Sequence, residues 1–325
     1  MKVNKSFANV NQALNTKKNN LTIVMPIYNR KRYLKHSLSQ LKKWPFDINL
    51  ILIQDGPKIG STYPELAKLD EVYQGAVELC TILDIPFEIK RRRTHLGCCR
   101  NVSLSISEEF QKVEFLYVIE DDILVSAAFP SFCESIRETR SSCLINANSF
   151  SARLFWPLDH PTGSLIKPWL TRIFRCWGWA CSRDIWENSF CIKKYDSSNI
   201  LSSAFLESLP SYYINNWKTV IANLSNDRLD SWASRFQLSL WENRLMPISP
   251  GVNLATHIGA DGSHYNRQWS HHNYLPFYEP DKYIELSFNN DIHFEHEREI
   301  DELEYIFCAN QKSPKYNFKR RYMAD

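Results

Sequence analysis

Three adjacent carboxylates, Glu120, Asp121 and Asp122, follow directly on the apolar run Phe115–Ile119. Like charges this close repel one another, and any that are buried lose hydration as well. A surface turn tolerates acids, but usually interleaves them with Gly, Asn or Ser. A bound cation is the alternative that offsets the repulsion, and a hard divalent ion prefers such oxygen ligands. Other groups suited to chemistry also stand at the ends of apolar runs. Asn29 and Arg30 follow "LTIVMPIY", and Asp55 follows "INLILIQ".

The elements that must position these residues are legible from periodicity. Strands are expected in "LTIVMPIYNR", ending at Pro26, in Ile48–Gly56, in "IPFEIKR" and in "FLYVI". Between them Leu34, Leu38 and Leu41 share one helical face, with Asn29 as the expected N-cap, and Cys98–Phe110 reads as a second helix. Continuous apolar strands alternating with helices predict an α/β fold whose mostly parallel, Rossmann-like sheet is covered on both faces. Ligands of such sheets bind beyond the carboxyl ends of the strands, where Asn29, Arg30, Asp55 and the acid triplet all fall.

Beyond "CLINANSF" the chain is richer in Trp and Pro and its periodicity weakens. "CWGWACSRDIWENS" reads as a turn feeding a helix. Trp232, Phe236 and Leu240 mark an amphipathic helix, and residues 245–265 read as irregular and His-containing. There is no internal repeat. The expected organisation is a lead-in over 1–20, a nucleotide-binding half over 21–150, and a second, mixed half over 151–325 of the same unit.

Composition excludes several classes. Only nine glycines are present, and neither GxGxxG nor GxxxxGK[ST] occurs. The net charge of +3 does not favour nucleic acid as a partner. The basic runs at 88–93 and at the C-terminus read as solvated faces, the second also suited to peripheral contact with an anionic membrane. No apolar run approaches the roughly 18 residues of a membrane span, and the first twenty residues are polar. Nine cysteines without metal-site spacing read as reduced thiols, so a cytoplasmic protein is expected. Ten Trp and fifteen Tyr suit both core packing and stacking on sugar rings.

Several stretches in order, "YNR", "IQDG", "EDDILVSAAF", "GWACSRDIW", "LDSW" and "ISPGVNLATHIGADGSH", span Leu21 to about His264. Their order and spacing resemble nucleotide-sugar glycosyltransferases of the A-type fold (GT-A), and within them the α-1,3-mannosyl-glycoprotein 2-β-N-acetylglucosaminyltransferase I family. The resemblance implies an inverting transferase that uses a UDP-sugar, UDP-GlcNAc first, and a divalent metal, usually manganese with magnesium as an alternative. It implies metal binding by Asp122, with Asp121 near the ribose or a metal-bound water and Glu120 near the donor sugar. Asp55 would accept from uracil, Arg30 would contact the nucleotide, and His95 would lie beside the base. His264, in "GADGSH", would contact metal or phosphate, and Trp179 and Trp177, if they face the cleft, would stack on a sugar or acceptor. The acceptor would be a glycan or a lipid-linked hydroxyl.

The family places its catalytic base just before a Trp, where this chain has Ser231. A serine hydroxyl is too weakly basic for that role, so Asp230, kept ionised by a helix N-terminus, is the expected base. Asp227 and Glu242 are alternatives. Plain structural roles stand beside these: Asp55 as a turn former, His95, His257 and His264 as satisfied loop histidines, Trp177 and Trp179 as core. A catalytically silent carbohydrate- or nucleotide-binding protein is the competing function, with a sugar nucleotidyltransferase third.

Overall fold

The computed structural model describes residues 20–149, 168–259, 277, 279 and 292–308, the last four by backbone alone. The first half alternates strand and helix: β1 (Leu21–Ile27), α1 (Lys31–Leu41), β2 (Ile48–Gln54), α2 (Tyr63–Ile82), β3 (Phe87–Arg91), α3 (Gly97–Phe110) and β4 (Phe115–Val118). There follow β5 (Ile123–Val125), α4 (Ala128–Arg137), β6 (Leu144–Asn146), β7 (Trp169–Leu170), β8 (Trp179–Ser182) and α5 (Arg183–Ser189). The remainder comprises α6 (Ser197–Leu201), α7 (Ser211–Ser225), α8 (Trp232–Glu242), β9 (Ile248–Ser249), β10 (Ala255–His257), β11 (His293–Phe294) and α9 (His296–Cys308).

Nine strands form one mixed, mostly parallel sheet in the order β11-β7-β9-β6-β8-β4-β1-β2-β3. The stretch β4-β1-β2-β3 is wholly parallel, as the continuous apolar runs predict. Its strands alternate between two buried faces. Ile23, Met25, Leu50, Leu52 and Tyr117 pack on one side with Leu34, Leu38 and Leu41 of α1. Val24, Ile51, Ile53, Leu116 and Val118 pack on the other with α3 and with Trp232, Phe236 and Leu240 of α8. Complete burial of each such side chain stabilises the fold by about 1.5–3 kcal/mol before conformational entropy is counted.

Three local expectations are corrected. The N-cap position of α1 is Arg30, not Asn29, and the Arg30 side chain makes no capping bond. "GWACS" contains strand β8, antiparallel to both β4 and β6. As a central strand it is buried on both faces, so it shows no alternation to read. Residues 245–259 are likewise not wholly irregular. Their β10 pairs antiparallel with β5 in a separate two-stranded ribbon, with His257 opposite Ile123. Among the described residues no helix is long and apolar enough to cross a membrane, and every described cysteine side chain is a free thiol.

Candidate active site

The carboxyl ends of β1, β2 and β4 bring Arg30, Asp55 and the acid triplet to one edge of the sheet. Asp121 and Asp122 are almost fully buried, at 1% and 2% exposure. The Arg30 guanidinium bridges them, one nitrogen on Asp121 Oδ1 and another on Asp122 Oδ2. Such a fork offsets the charge of two buried carboxylates with fixed geometry. Ser37 of α1 donates to the Asp121 carbonyl (2.7 Å), fixing the backbone of the turn. Two carboxylate oxygens, Asp121 Oδ2 and Asp122 Oδ1, are buried without a hydrogen-bond partner. Buried acceptors are rarely left so, and these two have the chemistry to receive a cation.

The ribbon adds a second potential ligand. Ile258 N donates to the Asp122 carbonyl (2.8 Å), and His257 Nε2 stands 3.3 Å from Asp122 Oδ2. Trp177 stacks on the imidazole, with ring centroids 5.2 Å apart and planes 22° from parallel. Gly259 keeps this approach open, because a Cβ there would lie 2.2 Å from Asp122 Oδ2. Among the described residues no three or more His, Cys, Asp or Glu side chains are grouped to enclose a metal. The arrangement therefore suits an ion that takes few protein ligands and completes its shell with substrate oxygens and water.

The triplet is electrostatically uneven. Burial, reinforced by the Asp122 charge, pushes Glu120 up to about 7. Burial also pushes Asp121 up to about 8, although Arg30 pulls the other way. Burial acts on Asp122 in the same direction, but hydrogen bonding to His257 and the charge of Arg30 outweigh it and hold this carboxyl below its ordinary value. Burial works against the Arg30 charge too; Asp121 and then Asp122 more than compensate, so the guanidinium stays protonated.

Asp55 is engaged by the protein itself. Its Oδ1 accepts from Gly56 N and Leu96 N (both 2.8 Å), and its Oδ2 accepts from Gly97 N at 3.1 Å. His95 Nδ1 lies 2.7 Å from the same Oδ2. Asp55 thus ties the start of α3 to the end of β2, more than a turn former would. A Cβ on Gly56 would lie 2.4 Å from the Thr94 backbone, so the glycine of "QDG" serves the close approach of these two segments. The Tyr28 and His95 rings, with centroids 5.4 Å apart, flank Asp55.

Asp230 is exposed, and its Oδ1 accepts from Cys99 N (3.2 Å) in the first turn of α3. The helix start that Asp230 meets is therefore that of α3, not that of the following α8. Ser231 is the N-cap of α8, its Oγ accepting from Ser234 N (3.2 Å), which gives the serine a structural role. The next residue, Trp232, acts on the Glu120 carboxyl, pulling it down against the effect of burial, so the "LDSW" turn abuts the acid triplet.

No protein-family model and no curated protein matches the chain. Solved structures similar to it include S. aureus TarS 1–349, at 11% identity and a TM-score of 0.35 over 56% of this chain and 53% of that one. Mouse xyloside xylosyltransferase 1 in its apo form has 9% identity and a TM-score of 0.35, over 69% and 83% of the two chains. The glycosyltransferase GlyE of Streptococcus pneumoniae TIGR4 has 9% identity and a TM-score of 0.34, over 70% and 44%. The chain spans about half the length of TarS 1–349. Likenesses this distant carry no chemistry across, which rests on the site itself.

The structure brings Arg30, Glu120, Asp121 and Asp122 together, with Asp55 and His95 at the neighbouring strand ends and Asp230 beside the start of α3. Trp179 is not among them. It is completely buried between Phe174, Trp186, Trp232 and Phe236, so the core holds it away from any sugar. Trp177 instead stacks on His257, the neighbour of Asp122. His264 and the basic C-terminus lie outside the described residues, as does most of the 1–20 lead-in. His257 takes the place beside Asp122. Its available signal was the "ATH" triplet just ahead of "IGADG", a strand too short for periodicity to reveal.

Proposed function

We propose that this protein is an inverting glycosyltransferase that moves a hexosyl or N-acetylhexosaminyl group from a nucleotide sugar to a hydroxyl acceptor with the aid of a divalent cation. A UDP-sugar, UDP-GlcNAc first, is the proposed donor, and a glycan or lipid-linked hydroxyl the acceptor. The observation that carries this reading is the buried Asp122, with Oδ1 unpartnered and Oδ2 3.3 Å from His257, at the carboxyl edge of a mostly parallel sheet.

Asp122 and His257 would hold the cation, and the unpartnered oxygens of Asp121 and Asp122 fit an electropositive group. A cation there, manganese first and magnesium second, supplies Lewis-acid stabilisation of charge on the departing nucleoside diphosphate. Arg30, permanently charged, adds a second positive group beside the same oxygens. Tyr28 and His95, packed on each other, offer an aromatic surface against which a base could lie at the Asp55 corner. Asp230 takes the proton from the acceptor hydroxyl as that oxygen attacks the anomeric carbon from the face opposite the leaving diphosphate. Trp177, half-buried and stacked on His257, adds an apolar face beside the cation site.

The deciding experiment incubates the protein with a panel of nucleotide sugars and Mn²⁺ and follows UDP or GDP release. Release from one donor, lost on chelation, supports the reading. Nucleotide binding without release from any donor, with and without candidate acceptors, replaces it with that of a silent binding protein.

A further inference from the structure

Helix α9 reaches the candidate site through one completely buried carboxylate, Glu302. Its Oε1 accepts from Ser149 Oγ (2.5 Å), and its Oε2 from an Arg175 guanidinium nitrogen (2.9 Å). These two partners stand on segments that lead to the residues beside Asp122, Ser149 by way of Asn253 and Asn148, and Arg175 by way of Trp177. On one side, Ser149 N and Asn148 Nδ2 both donate to Asn253 Oδ1 (3.1 and 3.0 Å). Asn148 Nδ2 also donates to the Ala255 carbonyl (3.1 Å), in the strand that ends with His257. On the other side, Arg175 N donates to Asn146 Oδ1 (3.1 Å), and two residues later Trp177 stacks on His257. The Gly178 carbonyl accepts from Ala147 N, and the Ala147 carbonyl from Leu254 N (both 2.9 Å), closing the bridge between the segments.

We infer that Glu302 is a positioning residue for the cation site: it clips the His257-bearing strand to the Trp177-bearing segment and so sets the distance from His257 to Asp122. The inference rests on the cation reading given above. A partner that orients a ligand from outside its coordination sphere is worth 10–100-fold in metal affinity. Glu302 reaches His257 along two routes, the ribbon backbone and the Trp177 ring. The neighbouring buried carboxylate, Glu299, makes a similar set of bonds but to Thr171 and Arg172, and so provides a matched control.

The test measures binding of Mn²⁺ alone to the full chain by calorimetry, alongside the thermal midpoint. Glu302→Gln is expected to weaken Mn²⁺ about tenfold. Glu299→Gln, which also removes a buried charge from α9, is expected to lower the midpoint while changing Mn²⁺ affinity by less than about twofold. Ser149→Ala keeps the Arg175–Glu302 pair, covers the case in which Glu302→Gln does not fold, and is expected to weaken Mn²⁺ about threefold. Equal loss of Mn²⁺ affinity in the two glutamine variants would reduce Glu302 to general helix docking and overturn the inference. So would unchanged affinity in both Glu302→Gln and Ser149→Ala. A wild-type chain that binds no Mn²⁺ overturns the cation reading and the clip together.

Discussion

His257 Nε2 lies 3.3 Å from Asp122 Oδ2, although the two residues belong to opposite halves of the chain. The ribbon pairing of His257 with Ile123 creates this proximity, because it lays one strand alongside the residue that follows the acid triplet. The first prediction is that His257→Ala and Asp122→Asn each weaken Mn²⁺ by more than about 100-fold, beyond the effect of an outer partner. Calorimetry on folded variants checks this. Wild-type affinity in His257→Ala would leave the histidine a hydrogen-bond partner of Asp122 and nothing more.

Gly259→Ala adds only a methyl group, but one 2.2 Å from Asp122 Oδ2 and 2.9 Å from its Cγ. The carboxylate or the backbone must shift, so Mn²⁺ affinity is expected to drop by at least about tenfold. An alanine variant with full affinity and an unchanged melting curve would show that the approach is looser than described.

Without a cation, the raised carboxyls give stability a distinctive pH dependence. Burial and neighbouring charge place Glu120 at about 7 and Asp121 at about 8 in the folded chain, against ordinary values of 4.5 and 3.8. Between those limits the folded state holds protons that the unfolded state has released. This contribution to stability therefore falls as pH rises from about 5 to 8 and levels off above. A bound cation replaces those protons, so added Mn²⁺ should stabilise more at about pH 8 than at about pH 5. Melting curves at both values, with and without Mn²⁺, test the sign.

Asp55→Ala removes the acceptor for Leu96 N and Gly97 N at the start of α3. A loss of about 2–3 kcal/mol in urea unfolding is expected from these charge-assisted bonds. UDP affinity should fall as well, since the corner carrying His95 is no longer held. If calorimetry shows unchanged UDP affinity in a destabilised variant, Asp55 supports α3 and takes no part in the base pocket.

Asp230→Asn separates chemistry from capping. The amide oxygen still accepts from Cys99 N, so stability should change by less than about 1 kcal/mol. The transfer rate should fall at least about 100-fold with donor affinity kept, since an amide is no general base. Transfer at the parent rate would move the base to another acid.

The parallel core and the polar edge that gathers Arg30, Asp55 and the acid triplet were legible in the sequence. Apolar runs such as "LTIVMPI" and "INLILIQ" sit between helices of clear period, and strand ends in such sheets collect ligand-binding groups. That reading depends only on local pattern, which is why Arg30, Asp55 and the acid triplet were found. Tertiary structure decided the rest, because the deciding contacts join residues remote in sequence. Trp177 and Trp179 are two positions apart and equally aromatic, yet β8 buries the second while the first turns to His257. Asp230 and Ser231 are adjacent, yet one closes α3 and the other caps α8. The role of "LDSW" therefore follows from which helix ends meet it. No local signal marks Glu302 either, since a glutamate on an amphipathic helix ordinarily faces water; packing of α9 against Ser149 and Arg175 puts it inside.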